Sequence, residues 1–195
     1  MPTACRHQCL IYQGAPSRNL PGLVPLIKQK LQENYRCMHL NSPAMIAGFR
    51  SYLAAADVDV ISHVAGASLV LSSDQRHLSQ GGFDVEAMMD TLKDAVHQAL
   101  TDGYKGLFAT GDMTWEFGPA RDFSRLLEYE WRLDEFIRQN PGLSGICLYH
   151  TDTLPYDAVR RGRMTHESFF VNETLSRMNP EYIPPGFRQA GEMLR

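Results

Sequence analysis

Apolar positions along this chain fall into two alternating patterns, short continuous runs and longer stripes that recur every three to four residues. The runs predict strands at Cys9–Tyr12, Arg36–Leu40, Ala67–Leu71, Lys105–Thr110, Gly145–Tyr149 and Ser168–Val171. The stripes predict the helices between them. One starts at about Pro21 and carries Leu23, Val24, Ile27 and Leu31; another opens at Pro43 behind a Ser42 cap and runs through Phe49, Tyr52 and Leu53. The most regular stripe joins Val85, Met88, Met89, Leu92, Val96, Ala99 and Leu100, with Asp84 as N-cap and Gly103 as the stop. Phe123–Ile137 and Tyr156–Met164 complete the set, Gln13–Asn19 is a loop, and Asn179–Pro185 is irregular. Strands alternating with helices predict an α/β fold, a mostly parallel sheet with helices on both faces. Ligands in such folds sit beyond the C-terminal strand ends. That rule gathers Tyr12, the Gly111–Trp115 loop and the Tyr149-His150-Thr151 turn.

The Phe123–Ile137 helix breaks its own pattern. Phe123, Leu126, Leu127, Leu133, Phe136 and Ile137 form one broad apolar face, and Glu128, Arg132 and Glu135 point away from it. Glu130 and Asp134 lie one turn apart inside the apolar stripe, where an ionised carboxylate is costly without a partner. Such a pair either anchors a neighbouring segment or lines a ligand pocket. The expected partner of Glu130 is a backbone N–H or polar side chain of the Gly111–Trp115 loop, or His7. His7 and Cys9, spaced i, i+2 on the first strand, are expected to share a face close to the Asp112 loop.

Composition narrows the function classes. The 195 residues suit one domain, with its core at about 5–185 and a tail over 186–195. A formal charge of −3 and a pI of about 6.1, with scattered basic residues, argue against nucleic acid as a partner. Without an apolar stretch of membrane-spanning length or a leader-like N-terminus, the chain is expected to be soluble and cytoplasmic, with no membrane partner. Its four cysteines, Cys5, Cys9, Cys37 and Cys147, are then expected as thiols.

The loop after the first strand, Gln13-Gly14-Ala15-Pro16-Ser17-Arg18-Asn19, lacks the glycines and lysine that cradle a triphosphate, so neither ATP nor NAD is expected and no cofactor is assigned. No nucleophile elbow or zinc-protease helix motif appears, and the chain reads as a non-enzyme. Cys5, His7 and Cys9 alternate, and Cys37 with His39 repeats the spacing. This leaves a metal or thiol sensor using His7 and Cys9 as an alternative, with Cys37, His39 or Cys147 as further candidates. The cysteines are more simply small buried hydrophobes.

Several stretches together resemble the MEDS domain, the methanogen/methylotroph sensory domain named for the regulator DcmR. They are His7-Gln8-Cys9-Leu10-Ile11-Tyr12, Gly82-Phe83-Asp84, Gly111-Asp112-Met113-Thr114-Trp115, Leu126-Leu127-Glu128-Tyr129-Glu130 with Leu133, Cys147-Leu148-Tyr149, His166, and Asn179-Pro180-Glu181-Tyr182. Asp112 stands where that family usually has Glu, Asp134 where Asn is common, and His150 where Asp often follows the Tyr. The resemblance implies a RecA/KaiC-like core without its phosphate-binding loop. It also implies a ligand-sensing role for small hydrocarbon derivatives, in signal transduction or transcriptional regulation, with a separate regulator or kinase as output partner. The candidate ligand-binding residues are His7, Cys9, Tyr12, Asp112, Met113, Trp115, Glu130, Tyr149 and His150. A degenerate protein-interaction module is the competing reading; it predicts an exposed apolar patch and no pocket.

Overall fold

The computed structural model describes residues 6–79, 82–172 and 175–188. Cys5 and the tail from 189 lie outside them. In chain order the elements are β1 (His7–Tyr12), α1 (Leu20–Gln32), β2 (Arg36–Leu40), α2 (Pro43–Ala55), α3 (Val60–Ala65) and β3 (Leu69–Ser72). A two-stranded hairpin of β4 (Leu78–Ser79) and β5 (Gly82–Phe83) leads into α4 (Val85–Thr101). Then come β6 (Leu107–Asp112), α5 (Met113–Glu116), α6 (Leu126–Gln139), β7 (Leu143–His150), α7 (Tyr156–Thr165), β8 (Ser168–Asn172) and β9 (Leu175–Met178).

Seven strands form one sheet in the order β3-β2-β6-β7-β1-β8-β9. Every neighbouring pair is parallel except β8 with β9. This is the mostly parallel α/β sheet that the alternating pattern predicts. Its inner strands read as continuous apolar runs because both faces are covered, as in β2, where all five residues are buried. One face packs against α4, α6 and α7 through Cys9, Met38, Leu107, Cys147 and Tyr149. The other packs against α1, α2 and α3 through Tyr12, Cys37, Leu69, Phe108, Ile146 and Leu148. Among the described residues no helix is long and apolar enough to cross a membrane.

Caps set the helix starts. Ser42 Oγ accepts from Met45 N, Asp84 Oδ1 from Ala87 N at 3.1 Å, and Asp112 Oδ1 from Trp115 N at 3.0 Å. The structure adds α3, α5, the β4–β5 hairpin and β9, none of which the pattern predicts. Each spans six residues or fewer, too little chain for a period to show. Phe123 precedes α6 rather than opening it, although it still packs in the core.

Candidate functional site

On α6, Glu130 and Asp134 both face the sheet and are buried, at 0% and 1% exposure. His7, at the start of β1, lies between them. Its Nε2 is 3.3 Å from Glu130 Oε2 and its Nδ1 is 3.3 Å from Asp134 Oδ1. From β7, the Tyr149 hydroxyl donates to Glu130 Oε1, and Cys147 Sγ lies 3.8 Å from Glu130 Oε2. His166, just after α7, brings its Nε2 to 3.5 Å from the same Oε2 while its Nδ1 donates to the Gly162 carbonyl at 2.7 Å. Asp134 is held from its other side by Arg188, by Arg138 at 3.2 Å and by the Tyr182 hydroxyl at 3.1 Å.

Burial works against ionisation of Glu130, but His7 and the Tyr149 hydroxyl outweigh it and hold the carboxyl below its usual range. Burial also works against the His7 imidazolium, and Asp134 and Glu130 overcome it, raising His7. His166, buried beside a charged His7, is pushed down to about 4 and stays neutral near pH 7. Burial and the Glu130 charge push the Cys147 thiol and the Tyr149 phenol well up, so both keep their protons. The partner of Glu130 is therefore His7 from β1 and not the Gly111–Trp115 loop.

Beside this cluster a cavity of about 30 Å³ lies between β6–β7 and the α4–α6 layer. Leu40, Met88, Leu92, Met113, Leu133 and Ile137 supply its apolar walls, and His7, Cys147, Tyr129 and Glu116 its polar ones. Glu116 is 1% exposed. Burial and the nearby charges of Glu130 and Asp112 push its carboxyl well up, against a hydrogen bond from Tyr129, and so favour its protonated form. Its Oε2 has no hydrogen-bond partner. Gly111 makes room for it, because a Cβ there would run into the Glu116 carboxyl.

The remaining candidates lie at the C-terminal strand ends. Tyr12 donates to Asp112 Oδ2 at 3.0 Å and stacks on His150, ring centroids 4.8 Å apart. His150 Nε2 donates to the Gly14 carbonyl at 2.7 Å, and Gly14 N donates to Asp152 Oδ2 at 2.9 Å. Where a nucleotide-binding fold offers loop amides to phosphate, this loop already spends one on a carboxylate. Burial raises the Asp112 carboxyl, opposed by the Trp115 N–H and the Tyr12 hydroxyl.

The structure thus sorts eight of the nine candidate residues into two groups. His7, Cys9, Met113, Glu130 and Tyr149 belong to the α4–α6 side, with His7 and Met113 lining the cavity. Tyr12, Asp112 and His150 form the strand-end group. Trp115 is half-buried, edge-on to His77 at 5.9 Å, and its carbonyl accepts from Gln75.

His7 and Cys9 do share a face, but that face is not Asp112's. Asp112 pairs with Leu148, which is level with Leu10, and its side chain meets Tyr12, whose parity on β1 is opposite to that of His7. What the loop brings toward His7 is Met113 and Glu116. Cys37 and His39 turn to the α1–α2 face, where Cys37 Sγ lies 3.8 Å from the Ile27 carbonyl and His39 Nδ1 lies 2.7 Å from Thr110 Oγ1, so they add nothing to a site at His7. The three described cysteines are buried thiols outside any disulfide.

His39 gives a pH prediction. Burial against Phe49 and Thr110 pushes it down to about 3 from an ordinary 6.5, so the neutral ring is the native form. A depressed pKa contributes stability that is complete above 6.5 and is lost as pH falls from 6.5 toward 3. Between pH 6.5 and 5 the loss is expected to reach about 2 kcal/mol. Urea unfolding of the parent and of His39→Gln at both pH values should show the variant losing correspondingly less. Equal losses would mean that the ring is protonated in the fold.

Sequence reasoning left Glu116 and His166 off the candidate list and treated Cys147 mainly as core. Glu116 lies four residues after Asp112, on a helix too short to announce which way it points. His166 was visible only as a lone histidine, its place set by how α7 docks. Compared with curated proteins, the chain finds no match. Residues 6–167 match the family model described as MEDS, MEthanogen/methylotroph, DcmR Sensory domain, and the chain belongs to that family.

Proposed function

We propose that this sensory domain binds a small organic molecule, a short hydrocarbon derivative with one polar or polarisable end, in the cavity between β6–β7 and α4–α6. The observation that carries this reading is an apolar chamber whose wall holds a buried carboxyl, Glu116, with one oxygen lacking a hydrogen-bond partner. Apolar walls with few convergent polar groups are what small-molecule sites are made of. A carboxyl accepts, and in the protonated form that burial favours here it also donates, so it can meet an alcohol, a carbonyl or a halogen. At about 30 Å³ the chamber exceeds the roughly 10–15 Å³ that one water needs, which limits the occupant to a few heavy atoms. Met88 and Met113, unbranched and adaptable, give it room to grow. A docking-only module has no use for such a chamber, and among the described residues the exposed large apolar side chains are spread over α2, α3, α4, α7, β9 and the segment after it, with only Ile61 and Val64 sharing an element. The output would pass to a separate regulator or kinase in the reducing cytoplasm, a compartment in keeping with three buried thiols.

Thermal unfolding and methyl NMR with a panel of one- to three-carbon haloalkanes and alcohols test the reading. At least one compound is expected to raise the midpoint, with about 2.7 kcal/mol available at a hundredfold excess over Kd. Leu133→Phe, which fills the chamber, is expected to fold and lose the response. A panel with no response at millimolar concentrations, or an undiminished response in Leu133→Phe, would remove the cavity from consideration.

A further inference from the structure

We propose that His7, Glu130, Cys147 and His166 form a binding site for one divalent transition metal of the zinc class, set into the wall of the cavity. One ligand atom from each of the four lies within 4.8 Å of all the others. His7 Nε2 is 3.3 Å from Glu130 Oε2 and 3.7 Å from Cys147 Sγ; Glu130 Oε2 is 3.5 Å from His166 Nε2 and 3.8 Å from Cys147 Sγ. Tetrahedral zinc, with Zn–N and Zn–O near 2.0 Å and Zn–S near 2.3 Å, needs ligand-to-ligand edges of about 3.3–3.6 Å. The four side chains are therefore close to a coordination shell already, and small rotations would close it.

What surrounds the four is what metal ligands need. Asp134 meets His7 at Nδ1, and the Gly162 carbonyl takes the Nδ1–H of His166, so each imidazole presents Nε2 inward. The Tyr149 hydroxyl occupies Glu130 Oε1 and leaves Oε2 toward the cluster. An independent sign is His166 Nε2. It belongs to a residue at 0% exposure, points into the cluster and makes no hydrogen bond. An ion pair of His7 with Glu130 and Asp134 explains those three residues, but it leaves that nitrogen 3.5 Å from Glu130 Oε2 with no hydrogen bond. A divalent ion gives it a role, and one thiolate with one carboxylate then balances the charge. Loading displaces the Cys147 thiol proton and the proton on His7 Nε2, so binding releases protons. Because His7 and Cys147 also line the cavity, the ion would form part of its wall.

The test uses the full chain, stripped with chelator and titrated with Co²⁺ and then Zn²⁺. Expected are one ion per chain by elemental analysis, the visible absorption of tetrahedral cobalt with a thiolate-to-cobalt charge-transfer band, and displacement of cobalt by zinc. Cys147→Ser should abolish the charge-transfer band, and His166→Gln should weaken binding at least about tenfold. Cys37→Ser, on the opposite face, should change neither. No cobalt spectrum and no stoichiometric zinc on the parent chain would overturn the proposal whether or not the variants fold. So would a charge-transfer band that survives in Cys147→Ser. The organic panel run on the stripped chain keeps the two readings apart, since a metal failure leaves the cavity response standing.

Discussion

Replacing Glu130 by alanine is expected to cost about 3–5 kcal/mol of stability, the scale set when one partner of a buried charged pair is removed. Three side chains from two strands depend on this carboxylate, His7 on β1 and Cys147 and Tyr149 on β7, and His166 beyond α7 packs beside it. Alanine takes away both oxygens at 0% exposure, where no bulk water can replace them. The Tyr149 hydroxyl then loses its acceptor, and His7 keeps only Asp134 of its two carboxylates. Glu130→Gln is the informative companion. It keeps the shape and one acceptor oxygen, but its NH₂ can no longer accept from His7 or Tyr149, and only the His166 Nε2 lone pair is there to receive it. Its cost is expected to be smaller, about 1–3 kcal/mol. Guanidinium unfolding of all three proteins in excess chelator measures this without any contribution from a bound ion. An alanine variant within about 1 kcal/mol of the parent would show that the cluster holds nothing together.

Much of the architecture was legible because long amphipathic elements overdetermine themselves. α4 buries the stripe read from Val85 onward as far as Ala99, only its last member Leu100 being exposed, and β2 has the bounds Arg36–Leu40 that its apolar run gives. Glu130 and Asp134 stood out for the same physical reason, since a carboxylate inside an apolar stripe must find a partner in the fold. Naming His7 as one possible partner was within reach. Excluding Asp112 was not, because that depends on register. β1 and β6 are both neighbours of β7, and the pairing places His7 level with Gly145 while Asp112 is level with Leu148. No local pattern carries that offset, and a shift of one residue would exchange the faces. The i, i+2 spacing of His7 and Cys9 and the family resemblance drew His7 toward the Asp112 loop, whereas the cavity that His7 lines lies between β6–β7 and the α4–α6 layer. Glu116 and His166 were hidden by a different limit. One sits on a single-turn helix and the other on a connection, and only tertiary packing says where such residues point.

Gly162→Ala is expected to destabilise the protein by about 1–3 kcal/mol, reversing the usual sign of a glycine-to-alanine change inside a helix. In α7 this glycine is where the helix rests on the ring of Tyr149. A Cβ there would sit 2.5 Å from Cε1 and 2.8 Å from the hydroxyl oxygen, and closer still to Cζ. The ring is 0% exposed and cannot swing aside without dragging its hydroxyl off Glu130. The backbone of Gly162 is also committed, since its carbonyl accepts from the Thr165 hydroxyl and from His166 Nδ1. Lifting α7 would therefore move His166 away from Glu130 as well as open the packing. Gly48→Ala, inside α2, is the control: its Cβ would meet nothing within 4 Å, and it should stabilise by about 0.5–1 kcal/mol. Denaturant unfolding of the two variants side by side gives the comparison. If Gly162→Ala gains stability as Gly48→Ala does, the Tyr149 ring has room to move, and the close seating of α7 does not fix the Glu130 cluster.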